Sequence, residues 1–322
     1  MSCPSKSHPD RAAATLANVD EQRAARGDGP FAAPGAGAFD CRIDLKLLQW
    51  RALAAAARSP RAQARLAAFA AEAHPDLWAG TVQDGTARGF AAALEEAVAL
   101  APAPAGLPAP PSDEPRLQTS TGKALRKRKD LLVASGGARV RFSRKQGLLF
   151  VARDDGTHAA NCLWFEARRD HGTLDGFVAA PDERARLFSA QFLAPQSYVE
   201  GPAYTRLELA GRLGRGPIGW PCEVTRVGLA GEPHVHLRVA IDHQQPGWRL
   251  RLRLLGVPSA GIAHDCTPVR EVVANDHGGF VACTLVRACT HLAIDDTTVA
   301  TPAAACLGRI THDFRLSATM SV

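Results

Sequence analysis

The chain has 322 residues, of which 46% are hydrophobic and 22% charged, with a formal net charge of +6 at pH 7. This length allows two ordinary domains, or one large β domain with a helical appendage. The arginines are scattered along the chain, which argues against a nucleic-acid-binding protein with one basic patch. No segment approaches the roughly 18 consecutive apolar residues of a transmembrane helix, and the N-terminus lacks a secretory signal. We therefore expect a cytoplasmic protein that does not bind membranes.

The N-terminal third is predicted to be a flexible tail followed by helices. Residues 1–38 are rich in Ala, Gly, Pro and Asp without an apolar period, which is typical of a tail. Residues 39–100 carry three short apolar stripes at helical spacing, so they predict a small domain of three Ala-rich helices. The stripes are Ile43, Leu47, Trp50 and Ala54, then Ala62, Leu66 and Phe69, then Phe90, Leu94 and Ala97.

Residues 101–130 are predicted to be a linker. The proline density of its first half, 101–115, is incompatible with a helix or a central strand. The basic run 123–129 follows. Because this run has no interleaved aromatic residues, we interpret it as solvated linker and not as a nucleic-acid patch.

Residues 131–322 are predicted to form a C-terminal β-sandwich domain, because short alternating segments separated by turn signals dominate there. The clearest alternation lies in two neighbouring segments, which we predict to pair as a hairpin around the loop 242–247. Their apolar positions are Val235, Leu237, Val239 and Ile241, and then Leu250, Leu252 and Leu254. The leucines are expected to face the core. The alternating Arg249, Arg251 and Arg253 are expected to face solvent or a partner domain.

Five segments carry motifs in a fixed order. They are Val140–Phe150 (a Val-x-Phe strand, then a Gly-Leu turn), Leu163–Pro181 (ending Asp-Gly-Phe-x-x-x-Pro), Glu200–Pro202 (Glu-Gly-Pro), Trp248–Arg251 (Trp-Arg-Leu-Arg) and Thr301–Gly308 (Thr-Pro, then Gly). In this order the chain resembles the C-terminal half of glycoside hydrolase family 38, the zinc-dependent α-mannosidases. Thr173 and Leu174 interrupt the second motif. The resemblance covers about residues 40–316 and implies a mainly β fold with a small α domain. The expected architecture is a short three-helix segment followed by a large antiparallel β-supersandwich of the galactose-mutarotase-like type.

The resemblance also bears on zinc. In the family, a His-His-Asp-x-x-x-Gly-Thr turn in the helical domain supplies one zinc ligand, the histidine next to the aspartate. The corresponding turn here runs from His74 through Pro75 and Asp76 to Thr81, so Pro75 occupies the ligand position. A proline side chain has no donor atom for a metal, and the family's other ligands belong to its catalytic barrel. We therefore expect no cofactor for this chain alone, and zinc only with a catalytic partner domain. His74 and Asp76 are weak metal candidates.

Taken together, the resemblance implies a truncated or split α-mannosidase-like glycoside hydrolase chain. It would bind carbohydrate, or complete an α-mannosidase whose catalytic barrel is elsewhere, and it would be inactive alone, with no catalytic residues of its own. The expected partners are a mannose-containing glycan and a separate barrel chain, but neither nucleic acid nor a membrane. The alternatives are a non-catalytic β-sandwich interaction protein and a metallohydrolase that uses His234 and His236.

The candidate carbohydrate contacts are Trp164, Asp170, His171 and Asp175, because carboxylates bind sugar hydroxyls and an aromatic ring stacks on a sugar. Asp and Gly also favour turns, which is the alternative interpretation.

His234 and His236 share one face of a strand, as a metal site requires. No third ligand is obvious, although Asp242 and His243 lie one loop away, and two exposed strand histidines are the alternative.

Overall fold

The computed structural model describes a set of segments that together span most of the chain after residue 47. They are residues 48, 51–52, 55–56, 59–72, 84–101, 107–112, 114, 116–128, 130–135, 139–143, 147–151, 158–159, 163–172, 177–179, 182–189, 192–214, 218–255, 262–264, 270–273, 280–294, 297–300 and 305–317.

Two helices pack against each other in the N-terminal part: α1 (Pro60–Glu72) and α2 (Asp84–Ala99). Ser59 precedes Pro60, and its Oγ accepts a hydrogen bond from the Ala62 N–H at 3.4 Å, so the Ser-Pro pair begins α1 as an N-cap and first-turn proline. The buried residues of the two helices are Ala62 and Leu66, and Leu94 and Ala97. These four positions agree with the second and third predicted stripes, whereas the side chains of Phe69 and Phe90 lie outside the described part of the structure. Helical residues also occur at 48, 51–52 and 55–56, within the first predicted stripe.

Residues 118–127, which the sequence assigned to the linker, are ordered structure. Strand β1 (Gln118–Thr121) pairs with β8 (Leu193–Glu200). Helix α3 (Gly122–Lys127) begins directly after β1, at Gly122, whose φ of +51° permits the sharp turn. Leu125 of α3 is buried, and Arg128 forms an ion pair with Glu200 at 2.7 Å. The linker prediction is therefore wrong for this stretch, because an apolar anchor and a carboxylate hold the basic run against the sandwich.

The remaining strands form antiparallel sheets, which confirms the mainly β fold with a small α part. The strands are β2 (Asp130–Ala134), β3 (Arg139–Ser143), β4 (Gly147–Val151), β5 (His158–Ala159), β6 (Leu163–Arg169), β7 (Arg186–Ser189), β8 (Leu193–Glu200), β9 (Tyr204–Leu213), β10 (Trp220–Leu229), β11 (His234–His243), β12 (Trp248–Leu255), β13 (Ile262–His264), β14 (Arg270–Val273), β15 (Phe280–Arg287), β16 (His291–Ile294), β17 (Thr297–Ala300) and β18 (Gly308–Ser317).

Two large sheets share one core. The seven-stranded sheet has the order β1-β8-β9-β10-β11-β18-β13, and the five-stranded sheet has the order β14-β15-β12-β6-β7. Strands β2–β5 form a four-stranded sheet, and β16 pairs with β17. Alternate residues of the two large sheets meet in the core, as aligned sheet packing requires. They include Leu209, Val224, Leu237, Val239 and Phe314 on one side, and Phe165, Leu250, Leu252, Leu254 and Val281 on the other.

The predicted hairpin of β11 and β12 is wrong. Strand β11 pairs with β10 and β18 in the seven-stranded sheet, whereas β12 pairs with β15 and β6 in the five-stranded sheet. The loop between them therefore crosses from one sheet to the other. Gly247, at φ +74°, donates its N–H to the Ala288 carbonyl at 2.7 Å and holds this crossing in place. The leucines of β12 do face the core, as predicted, because strands that face each other across a core alternate just as paired strands do.

The prediction that the arginines of β12 face solvent or a partner domain is also wrong for Arg249 and Arg251, because other parts of the same chain cover them. Arg249 and Arg251 are only 5% and 7% exposed. Arg251 donates from Nη2 and Nε to Oε1 of the buried Glu166, at 2.7 and 2.9 Å, and Arg253 binds the other oxygen of the same carboxylate. Phe177, from the loop after β6, lies over Arg249 with 3.4 Å between Cζ and the ring centroid. The arginines can be buried because Glu166 neutralises their charge and the loop after β6 covers them.

Candidate functional site

The loop after β6 contains most of the predicted carbohydrate contacts, and Asp170 fixes its conformation. The Asp170 carboxylate accepts hydrogen bonds from Arg287 Nε at 2.5 Å, the Gly172 N–H at 2.9 Å and the Val178 N–H at 3.3 Å. The side chains of Asp170 and Arg287 are both 0% exposed. An aspartate that binds an N–H two residues further on forms an Asx turn. This geometry favours the turn interpretation of Asp170 over direct contact with a sugar. Asp175 lies outside the described residues.

His171 lies beside Asp170 but is exposed. Its Nε2 is 3.8 Å from Oε2 of Glu183, and the other carboxylate oxygen of Glu183 is 3.9 Å from Nε of Arg169. The backbone N–H of His171 binds the Val178 carbonyl at 2.8 Å, which closes the loop beneath the imidazole. The three side chains, Arg169, His171 and Glu183, are called the loop triad below. They place hydrogen-bond donors and acceptors together at the surface, which is what recognition of neighbouring sugar hydroxyls needs.

The tryptophans do not join the loop triad as a stacking platform. Trp164 is half-buried and lies on β6, five residues before Arg169. At about 3.3 Å per strand residue this places it roughly 16 Å from the loop. Trp248 is near the loop but buried, with Arg169 and Arg186 over its ring and Trp220 packed against it at 5.3 Å. Trp164 and His171 are therefore not parts of one small-ligand site.

The two histidines of β11 have a third neighbour that the sequence analysis missed. Oε2 of Glu232, in the turn between β10 and β11, is 2.6 Å from Nε2 of His236 and 3.3 Å from Nε2 of His234. The two imidazole centroids are 5.1 Å apart. The signal was available in the sequence, because Glu232 is only two and four residues from the two histidines, at the end of the turn that leads into β11.

The other ligands considered from the sequence, Asp242 and His243, lie at the opposite end of β11 from His234. His243 is fully buried and its Nδ1 is 3.2 Å from the Cys306 carbonyl oxygen. Burial lowers the pKa of His243 to about 4. His74, Pro75 and Asp76 lie outside the described residues, so the expectation about the zinc site of the family type remains a prediction.

A cleft between α3 and β8 is a further concave feature. It has a volume of about 530 Å³, within the range of about 300–1,000 Å³ for small-ligand sites. Its lining is Gly122, Arg126, Phe142 and Leu193–Gln196. The sequence gives no sign of this cleft, because Arg126 belongs to the predicted linker and its position depends on how β1 and α3 fold.

No helix in the described part of the chain is long and apolar enough to cross a membrane.

Comparison with known proteins identifies the fold. No protein-family model matches the chain, and neither does any curated protein. Among solved structures, the chain is similar to a protein in the glycosyl hydrolase family 38 from Enterococcus faecalis, with a TM-score of 0.55 and 12% identity. That match covers 95% of this chain and 56% of the other. An alpha-mannosidase from Enterococcus faecalis V583 matches with a TM-score of 0.45 and 14% identity, over 58% of this chain and 29% of the other. The chain thus spans just over half of the family 38 protein, and its fold is like that of the C-terminal part of this glycoside hydrolase family.

Proposed function

We propose that this chain is the carbohydrate-recognition part of an α-mannosidase-like glycoside hydrolase, and that its catalytic barrel is supplied outside these 322 residues. The observation that carries the proposal is the likeness in fold to a family 38 protein over 95% of the chain. The five sequence motifs, whose order resembles that of the same family, support the proposal from the sequence. The substrate class that follows is a mannose-containing glycan.

The loop triad is the proposed glycan contact. The side chains of Arg169 and His171 are each 50% exposed and that of Glu183 is 29% exposed, so their polar atoms can reach a ligand. The buried Asp170–Arg287 ion pair supports the loop from below, which limits the conformational entropy that binding would cost. Trp164 is placed too far away to stack on the same sugar ring, so recognition at this loop is by hydrogen bonds.

Calorimetric titration of the full chain with mannose oligosaccharides tests this proposal. We expect saturable binding that weakens at least about tenfold in His171→Ala and in Glu183→Gln, since a lost hydrogen bond to a charged group costs about 1.5–3 kcal/mol. The matched control is His291→Ala, because His291 begins β16, outside the loop. Absence of glycan binding by the unmodified chain, or equal loss in the control, would contradict the proposal.

Activity gives a second test. The purified chain is expected not to hydrolyse an aryl α-mannoside, with or without added zinc, because Pro75 stands at the position of the family's zinc histidine. Addition of a cognate barrel domain should give hydrolysis only if that domain also supplies a zinc ligand in place of the one that Pro75 cannot provide, because two groups positioned across one sugar carry the chemistry. Turnover by the chain alone that survives purification from host glycosidases would overturn this part of the proposal.

A further inference from the structure

We propose that Glu232, His234 and His236 form a binding site for a divalent transition-metal ion of the zinc class, at the turn between β10 and β11. This site is called the hairpin triad below. It is separate from the zinc site that the family resemblance implies, and glycan binding at the loop triad does not depend on it. The third ligand of the site, Glu232, was not among the candidates predicted from the sequence.

Strand geometry brings the three donors together. His234 and His236 are alternate residues at the start of β11, so both imidazoles stand on the outward face of the seven-stranded sheet. The ligand atoms of the hairpin triad all lie within 4.8 Å of one another. In a tetrahedral zinc site with ligand distances of about 2.0–2.2 Å, the ligand atoms are separated by roughly 3.3–3.6 Å. The separation of 3.3 Å between Glu232 and His234 already has this value.

Only small side-chain movements would complete the site. The Glu232–His236 separation of 2.6 Å is that of a hydrogen bond and must widen by less than 1 Å for a metal to enter. The Glu232 side chain is 36% exposed and stands on a turn, so it can move outward without disturbing the core. The ligand nitrogens of the two imidazoles lie within 4.8 Å of each other, so they must approach by at most about 1.5 Å to reach the separation of a tetrahedral site.

The backbone beneath the site is held in place. Strand β11 pairs with both β10 and β18, and Val235 and Leu237, the chain neighbours of His236, are fully buried in the core. The Glu232 N–H binds the Leu229 carbonyl at 3.0 Å and fixes the turn. The three donors therefore sit on a rigid frame, and little ordering is needed when an ion binds.

The donor set selects the class of ion. Two imidazoles and one carboxylate suit zinc and neighbouring transition metals, whereas calcium and magnesium require oxygen ligands. The His234 and His236 side chains are 24% and 17% exposed. Solvent can thus reach the centre of the triad, and water would occupy the fourth position of a tetrahedral ion.

Zinc titration of the full chain tests the site. We expect one zinc ion bound by the hairpin triad, with affinity reduced by more than about 100-fold in His234→Gln, His236→Gln and Glu232→Gln, because loss of an outer-shell partner alone costs about 10–100-fold. The matched controls are His291→Gln and Glu223→Gln. Glu223 lies on β10 of the same hairpin, in an exposed ion pair with Arg309. The Glu223→Gln variant therefore tests whether loss of any carboxylate on this hairpin weakens zinc binding.

Two further measurements separate this site from the other histidines and the cysteines of the chain. Cobalt bound in place of zinc should give the visible absorption of nitrogen and oxygen ligation, without the near-ultraviolet charge-transfer band of a thiolate. Zinc should also raise the melting temperature of the unmodified chain, and not that of the His234→Gln/His236→Gln double variant, because a ligand of the native state stabilises it. A thiolate band, undiminished zinc binding by the double variant, or no stoichiometric binding by the unmodified chain would each overturn the proposal.

Discussion

Strands β11 and β12 have the same alternation of apolar and polar residues, but the surroundings of their outward faces differ. On β11, His234, His236 and Arg238 remain partly exposed, and Arg238 forms an ion pair with Asp313 in which both side chains are about one-third exposed. On β12, the outward Arg249 and Arg251 are buried against Phe177 and Glu166. Alternation of apolar and polar residues therefore predicts which face of a strand meets the core. Alternation does not predict what covers the other face of the strand.

The largest expected effect is at the buried carboxylate of the five-stranded sheet. Glu166→Gln should lower the free energy of unfolding by about 3–5 kcal/mol, because it removes the buried carboxylate that forms ion pairs with Arg251 and Arg253. Chemical denaturation of the variant measures this loss. A loss below about 1 kcal/mol would show that the outward face of β12 is solvated after all, as on β11.

The inward faces of the two strands should behave alike. Leu252→Ala on β12 and Leu237→Ala on β11 are each expected to cost about 2–5 kcal/mol, since both side chains are 0% exposed. Thermal melts and denaturant titrations of the two variants make the comparison. A tolerated substitution at only one of the two leucines would mean that the two sheets do not share the core equally.

The buried histidines should make stability depend on pH, in contrast to the accessible pair on β11. Burial lowers the pKa of both His243 and His312 from 6.5 to about 4. Between pH 4 and pH 6.5 these histidines bind more protons in the unfolded chain than in the folded chain, so a lower pH favours unfolding. The free energy of unfolding should therefore decrease as the pH falls from 6.5 towards 4, by roughly 3 kcal/mol for each histidine.

Denaturant titrations of the unmodified chain and of His312→Gln across this pH range check the effect. His312 binds the Leu285 carbonyl at 2.8 Å across the core, so the variant is expected to be less stable at every pH. The informative quantity is the slope, which should become shallower because one of the two titrating groups is gone. An unchanged slope would assign the pH dependence to other groups.

The smallest expected effect is at the ion pair on the outward face of the seven-stranded sheet. Asp313→Asn removes the charge that holds Arg238, yet it should cost under about 1 kcal/mol, since both partners are accessible to water. Double-mutant cycles of this pair and of the Glu166–Arg251 pair would measure the contrast directly. Equal coupling energies would remove the distinction between the two outward faces.

The two candidate sites also differ in how far the local sequence indicates them. The Asp-His-Gly run at 170–172 identified a loop with ordered polar groups, but burial of Asp170 against Arg287 reduces the exposed set to His171 and its neighbours. That ion pair joins residues 117 positions apart, so no local pattern could indicate it. For the hairpin triad the reverse holds, because Glu232 is two residues from His234 and its closeness in sequence already pointed to it.

The sequence by itself determined the local features that depend on periodicity and backbone chemistry. These are the helical stripes around Leu66 and Leu94, the Ser59–Pro60 helix start, the strands of the C-terminal part and the inward side of β12. Tertiary structure alone decided which strands became neighbours, whether residues 118–127 would dock, and which charges would be buried. The physical reason is that side-chain alternation is the same for strands paired within a sheet and for strands that face each other across a core. Burial of a charge, in turn, depends on a partner that is distant in sequence, as Glu166 is from Arg251.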